Sequence, residues 1–206
     1  MTVIDTNDDV SNHIPLLRNR GVTAIGRYYS SASWKRVTPR EAQIIGSSGM
    51  SLFVVFENDG DPALDGNLGM THAQIALQQA GAIGQPSGSA IYFAMEHLPN
   101  GYTTADIPGV KGYFNQIQSV IQNKFKLGVY SDGVICDALL SSGQCSFAWL
   151  SASTSFAGSR AFYDSGRWAL AQKTPVDQNW NGLSVDINEA KPAFGAFTPN
   201  QIAGTA

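Results

Sequence analysis

The chain has 206 residues, with 13 Lys and Arg against 16 Asp and Glu, a formal net charge of −3, and 14% charged against 43% hydrophobic residues. That length suits one full-sized core, so a single domain over residues 1–206 is expected. The acidic balance lacks the basic face that nucleic-acid binding requires, and no apolar run approaches the ~18–20 residues of a membrane span.

In chain order, residues 2–5 (TVID) form a short β-rich run, and 11–20 carry Ile14, Leu16 and Leu17 on a helical repeat, with Ser11 as N-cap and Gly21 as the stop. Residues 24–29 have strand composition. Thr38, Pro39 and Glu41 then have the form of a helix start: a capping Thr, Pro in the first turn, and an acid three residues after the cap. That helix runs to residue 48 and stops at Gly49. Residues 51–57 (SLFVVFE) and 90–96 (AIYFAME) read as strands buried on both faces, separated by a polar loop and a helix over 71–82. A longer helix over 106–126 leads to a strand at 127–131, a helix at 133–140, and strands at 147–151, 168–172 and 183–187.

Eight strands with five or six helices between them imply parallel pairing and right-handed crossovers. The expected fold class is α/β: a single compact (β/α)8 TIM-like barrel. Because ~200 residues is the lower limit for that fold, some helices in the C-terminal half must be shortened. An open doubly wound sheet would show a Gly-rich phosphate loop after the first strand, and TNDDVSN is not one.

The acids fall at strand ends. Asp5 ends strand one, Glu57 strand three and Glu96 strand four; Asp132 follows strand five and Asp186 lies in the last strand. In a parallel barrel the C-terminal strand ends open onto one face, so these carboxylates are expected to converge on one pocket. Crowded carboxylates raise one another's pKa, and a protonated acid beside an ionised one is the equipment of glycoside hydrolysis. Tyr28, Tyr29, Tyr92, Tyr130 and Trp149 offer flat faces to sugar rings, or alternatively fill the core. Arg27, inside a strand, is costly to bury unpaired and is expected beside one of these acids.

No cofactor or metal is expected. The histidines His13, His72 and His97 are too scattered for a zinc site, and the run NDGDPALDGN lacks the terminal Glu of an EF-hand. No GxSxG esterase motif is present. Cys136 and Cys145 leave open either one disulfide or two buried thiols.

Several segments together resemble a known family. They are Val3-Ile4-Asp5, Gly26-Arg27-Tyr28-Tyr29, Lys35 with Thr38-Pro39-Arg40-Glu41-Ala42, the run from Ser51 to Glu57, and Gly69 with His72-Ala73 and Ala76. Ile91-Tyr92-Phe93-Ala94-Met95-Glu96, Val129-Tyr130-Ser131, Ala148-Trp149-Leu150, Ala171-Gln172 and Val185-Asp186-Ile187-Asn188 complete the set. In this order they resemble the glycoside-hydrolase-like domain of the DUF1906 type, related to the GH25 muramidases, over essentially the whole chain. The resemblance implies a lysozyme-like barrel acting on bacterial peptidoglycan, with cell-wall degradation as its bacteriolytic outcome. It implies Glu96 as general acid, Asp5 or Glu57 as assisting carboxylate, and Asp186 as a residue that positions substrate or tunes the acid. Arg27, Tyr28, Tyr92, Tyr130, Asp132, Trp149 and Gln172 are the expected substrate-binding set. The muramidases carry Asp-x-Glu on strand four, whereas here the first acid is replaced by Ala94. A substrate whose own 2-acetamido group attacks would tolerate that loss. The alternative is a non-catalytic glycan-binding or cell-envelope module on the same barrel, since fold alone does not establish chemistry. The expected partner is a polysaccharide and the expected state a monomer. The expected site of action is the cell wall, the periplasm or outside the cell. The start MTVIDTNDDV has no signal-peptide pattern, which leaves two expectations: a sequence trimmed to its mature form, or export by another route such as phage lysis or a secretion machine.

Overall fold

The computed structural model describes residues 2–58, 68–96 and 98–199. Strands β1 (Thr2–Asp5), β2 (Val22–Tyr29), β3 (Ser51–Phe56), β4 (Ala90–Ala94), β5 (Lys126–Ser131), β6 (Phe147–Leu150) and β7 (Leu170–Gln172) pair as successive parallel neighbours. The short β8 (Gln178–Trp180) forms a hairpin with β9 (Leu183–Ala190), and β9 closes the eight-stranded ring by pairing with both β7 and β1. Among the described residues, six helices lie outside the ring: α1 (Ile14–Asn19), α2 (Pro39–Ser47), α3 (Leu68–Ala82), α4 (Ile107–Ile121), α5 (Gly133–Ser141) and α6 (Ser159–Ser165). The TIM-like barrel and its abbreviated C-terminal half match the expectation from the sequence.

Two local expectations need correction. The last barrel strand is antiparallel to both neighbours. A parallel return needs a crossover of a dozen or more residues, and only residues 173–182 separate β7 from β9. The chain therefore reverses at the mouth through Asn181-Gly182, both at positive φ (55° and 91°), in a two-residue hairpin between paired Trp180 and Leu183. The first helix starts at Ile14, with His13 and not Ser11 at the cap position. Pro15 has no N–H with which to close a helical turn back onto Ser11.

Alternation along each strand divides the core in two. Val3, Ala24, Phe53, Val55, Ala90, Tyr92, Ala94, Tyr130, Trp149 and Leu170 fill the barrel interior, while Ile4, Ile25, Leu52, Val54, Phe56, Ile91, Phe93, Val129, Ala148 and Leu150 face the helices. So narrow a ring takes large rings only where a neighbour is small. Gly26 stands where a Cβ would come within 2.5 Å of the Phe53 ring, and Gly128 where one would come within 2.4 Å of the Tyr92 ring. The segment after β9 crosses the bottom of the barrel. Phe197 exchanges backbone hydrogen bonds with Leu52 (2.7 and 2.8 Å), Ala90 N donates to Gly195 O (3.1 Å), and Phe194 packs edge-on against Phe53. Cys136 and Cys145 are both free and buried, the two-thiol alternative.

Parity also decides Arg27. It alternates with the inward-facing Ala24, Gly26 and Tyr28, so it points out of the barrel, toward α2. There Nε donates to Glu41 Oε1 (2.6 Å), Nη2 to Glu41 Oε2 (3.2 Å) and Nη1 to Thr6 O (2.6 Å). Val10 N adds a bond to Glu41 Oε1 (3.0 Å). The two side chains are 1% and 0% exposed. The expectation that Arg27 binds substrate beside a mouth acid is therefore corrected: its partner is Glu41, and it does not reach the mouth.

A buried pair with its polar atoms satisfied is costly to break from one side, because the remaining charge is stranded. Arg27→Met is expected to lower the unfolding free energy by about 3–5 kcal/mol in urea titrations. Adding Glu41→Gln, which keeps an acceptor for Val10 N–H but removes the charge, should recover part of that loss. Equal losses in the single and double variants would show that stranded charge is not the cost.

Candidate active site

The inward parity that excludes Arg27 brings seven polar or aromatic residues to the mouth. Glu57 continues the inward series of Phe53 and Val55, and Glu96 that of Tyr92 and Ala94. Tyr28, Tyr130, Gln172 and Asp186 occupy inward positions on β2, β5, β7 and β9. Tyr28, Glu57, Glu96, Tyr130, Gln172 and Asp186 line a cavity of about 430 Å³, together with residues of the loops after β6 and β7. Asp5 lies beneath it, 2% exposed. Because β9 descends from the mouth, Asp186 is in register with Asp5 on the neighbouring strand.

Hydrogen bonds link these groups into two chains. Trp149 Nε1 donates to Asn188 Oδ1 (2.7 Å), and Asn188 Nδ2 donates to Asp5 Oδ1 (2.6 Å). The second chain crosses the mouth. Gln172 Nε2 donates to Asp186 Oδ2 (2.7 Å), and Gln172 Oε1 accepts from the Tyr130 hydroxyl (2.9 Å) and from Ala152 N (3.3 Å). Tyr130 Oη also lies 3.4 Å from Glu96 Oε1. The Tyr130 hydroxyl is thus placed to donate to either oxygen, Gln172 being the nearer. Asp177 N donates to Asp186 Oδ1 (2.5 Å), and the Lys35 ammonium meets Glu57 Oε1 at 2.8 Å.

Burial is the largest influence on the acids. It pushes the Asp5 carboxyl well above the usual carboxylate range, and the Asp186 charge pushes it further, against the lowering effect of Asn188. Asp186 is raised as well, by burial first and by Asp177 second, against the bonds from Asp177 N and Gln172. Burial, with the neighbouring acids, drives the Tyr28 and Tyr130 hydroxyls upward, so both remain neutral at physiological pH.

Other expected site residues sit elsewhere. Tyr92 is buried low in the barrel, its hydroxyl donating to Phe194 O (2.8 Å), and is part of the packed floor. Asp132 is the N-cap of α5, accepting from Ile135 N (3.3 Å) and Tyr102 N (2.5 Å), with burial raising its carboxyl. Trp149 is 1% exposed and acts on the site through Asn188. For all three the substrate-contact expectation is corrected: side chains this buried are spent on packing, capping or a partner. The sequence reading missed Lys35 as the partner of Glu57, Glu41 as the partner of Arg27, and Asn188. Asn188 was within reach of simple parity, two residues beyond Asp186 on the same face. Among the described residues no cluster of three or more His, Cys, Asp or Glu is placed to hold a metal ion, and no helix is long and apolar enough to cross a membrane. The calcium-like run spans residues 58–67, of which 59–67, like His97, lie outside the described residues.

A carboxyl with a raised pKa binds its proton more tightly in the folded chain than in the unfolded one. Its contribution therefore favours folding at pH below the ordinary carboxylate range and is lost as pH rises toward the raised value. Asp5→Asn removes this penalty at neutral pH. Its melting temperature should exceed that of the wild type at pH 7, and the difference should shrink toward pH 4. A constant difference across calorimetric scans from pH 4 to 8 would mean that Asp5 is not held protonated by the fold.

Comparison with known proteins agrees with this architecture. Bacillus subtilis YbfG, an uncharacterized protein, is 28% identical over 176 residues, covering 76% of this chain and 24% of its own length. A second Bacillus subtilis protein, FadG, also uncharacterized, is 24% identical over 86% of this chain and 32% of its own. The chain thus spans between a quarter and a third of the curated relatives it matches. The crystal structure of the Mycobacterium tuberculosis Tat-secreted protein Rv2525c in complex with L-tartrate superposes with a TM-score of 0.79 at 22% identity, covering 95% of this chain and 98% of that one. The modular autolysin LytC of Streptococcus pneumoniae, in complex with a synthetic peptidoglycan ligand, superposes with a TM-score of 0.57 at 10% identity over 91% of this chain and 46% of that one. At these identities the solved structures show a shared barrel. The family profile described as "Rv2525c-like, glycoside hydrolase-like domain" matches residues 16–192, nearly the whole barrel, and the chain belongs to that family.

Proposed function

We propose that the mouth binds and hydrolyses a bacterial cell-wall glycan of the peptidoglycan type, with Glu96 as general acid. The observation that carries this reading is the hydrogen-bond chain from Asp186 through Gln172 to Tyr130. It holds the Tyr130 hydroxyl 2.9 Å from Gln172 Oε1 and 3.4 Å from Glu96 Oε1, so that one phenol ties the acid to the polar layer across the mouth. A carboxyl at the wall of a polar cavity is placed to protonate a leaving glycosidic oxygen.

Neither of the other acids offered by the sequence suits the role of attacking nucleophile. Asp5 is almost wholly buried and bonded to Asn188, and Glu57 is held by Lys35. The nucleophile is instead the 2-acetamido oxygen of the sugar itself. It bonds to the anomeric carbon as that carbon's bond to the leaving oxygen breaks, and Glu96 supplies the proton to the departing alcohol. Water then adds at the anomeric carbon, opens the cyclic intermediate, and returns a proton to Glu96. Asp186, half-buried beside the cavity, orients the acetamido group and balances the positive charge that develops on it. The reaction takes place in the cell wall, outside the cytoplasm. Ala94, where the related muramidases carry an acid, favours a second reading in which the same cavity holds the glycan without cleaving it.

Release of new reducing ends from purified peptidoglycan separates the two. Wild-type protein should generate them and Glu96→Gln should lose about 10²–10⁴-fold in rate, while still folding and still sedimenting with sacculi. Sedimentation of the wild type without any release would replace the glycosidase with the binding module.

A further inference from the structure

Trp34 has no place in the scheme above, yet it is the most exposed large apolar side chain among the described residues, at 68%. A single exposed apolar side chain is ordinary on a protein surface, so its position decides what it can do. Its position is informative. Trp34 lies on the loop between β2 and α2, directly before Lys35, whose ammonium bonds Glu57 in the mouth. That same ammonium is 5.8 Å from the centroid of the Trp34 ring and 5.4 Å from that of Tyr28, which lines the cavity. One cation is therefore within reach of both an exposed aromatic ring and an aromatic ring that lines the cavity.

The loop is well anchored. Asn58 Oδ1 accepts from Ser30 Oγ (3.1 Å) and Ser31 N (2.8 Å), Gln79 bonds both backbone groups of Ser30 (3.0 Å each), and Val37 N donates to Tyr28 O (2.9 Å). A fixed loop thus holds the indole in solvent at the edge of the site. We propose that Trp34 is the outer sugar platform of this mouth, stacking on the apolar C–H face of an equatorially substituted pyranose one or more residues away from the scissile bond. This rests on the reading that the mouth takes a glycan and specifies where the chain crosses the rim: over the β2–α2 loop. A gluco-configured ring carries its hydroxyls at the edge and its axial hydrogens on the faces, so it presents the flat apolar surface that an indole face matches. Lys35 is already paired with Glu57, so the platform carries no charge requirement of its own.

Trp34 is also a reporter. The chain has four tryptophans, and the other three, Trp149, Trp168 and Trp180, are buried. Iodide quenching of intrinsic fluorescence therefore reads Trp34. The probe is a peptide-free tetrasaccharide of alternating N-acetylglucosamine and N-acetylmuramic acid, titrated into Glu96→Gln protein so that it is not consumed, with calorimetry as the independent measure of binding. The tetrasaccharide should protect the fluorescence from iodide. Trp34→Ala, introduced into the same protein, should weaken binding tenfold or more (about 1.4 kcal/mol) without changing the melting temperature, and Trp34→Phe should fall between. Binding seen by calorimetry with iodide quenching unchanged, an undiminished affinity in Trp34→Ala, or no binding at all would each overturn the platform. The outcome is separable from that of hydrolysis. Protection of Trp34 in a protein whose wild type releases no reducing ends keeps the platform and removes the glycosidase; hydrolysis with Trp34 unprotected does the reverse.

Discussion

Closure of the ring by β9 sets two carboxylates, Asp5 and Asp186, opposite one another on neighbouring strands, inside a barrel otherwise filled with apolar side chains. Little else at the mouth could be arranged as it is without this. Asp5 is too deep to be solvated, so it needs Asn188, and Asn188 in turn is fixed by the indole N–H of Trp149. Asp186, the neighbour of Asp5 in register, is half-buried and held by Asp177 N and by Gln172, and through Gln172 it is tied to Tyr130. Aromatic residues that pattern alone assigns to sugar contact serve here as rigid supports for the polar layer above them.

The charges of this protein are sorted by strand parity. Inside the barrel and at its mouth the acids outnumber the cations, with Lys35 answering Glu57. Outside the barrel, Arg27 and Glu41 join strand to helix and also satisfy Thr6 O and Val10 N, two backbone groups of the loop that leaves β1. This buried pair therefore ties down the loop leading away from Asp5. Exposed pairs such as Arg160 with Asp164, 3.8 Å apart on α6, carry no comparable burden.

Much of this was legible in the residues. Apolar runs ending in acids located β3, β4 and their mouth carboxylates, and Thr38 with Glu41 located the start of α2, where Glu41 N donates to Thr38 Oγ1 (3.1 Å). What escaped notice did so for physical reasons. Glu41 has the sequence of a capping acid, and the sequence contains nothing to show that a strand arginine faces it. Arg27 and Tyr92 were assigned by residue type, when counting by twos from Tyr28 and Glu96 separates outward from inward and places Tyr92 two layers below Glu96. The reversal of β9 was signalled by Asn181-Gly182, a hairpin dipeptide, but was outweighed by the expectation of uniform β/α alternation. Lys35 could be placed only once the loop carrying it was seen to fold back over Tyr28.

The chain segment that crosses the bottom, with Phe194 against Phe53 and the Tyr92 hydroxyl bonded to Phe194 O, makes the barrel a cup and not a tube. The acids are therefore approached from the mouth, past the loops that follow the strands. In such a vessel the loops between strands and helices determine what surrounds the cavity, and the rim can change by loop exchange while the floor stays as it is.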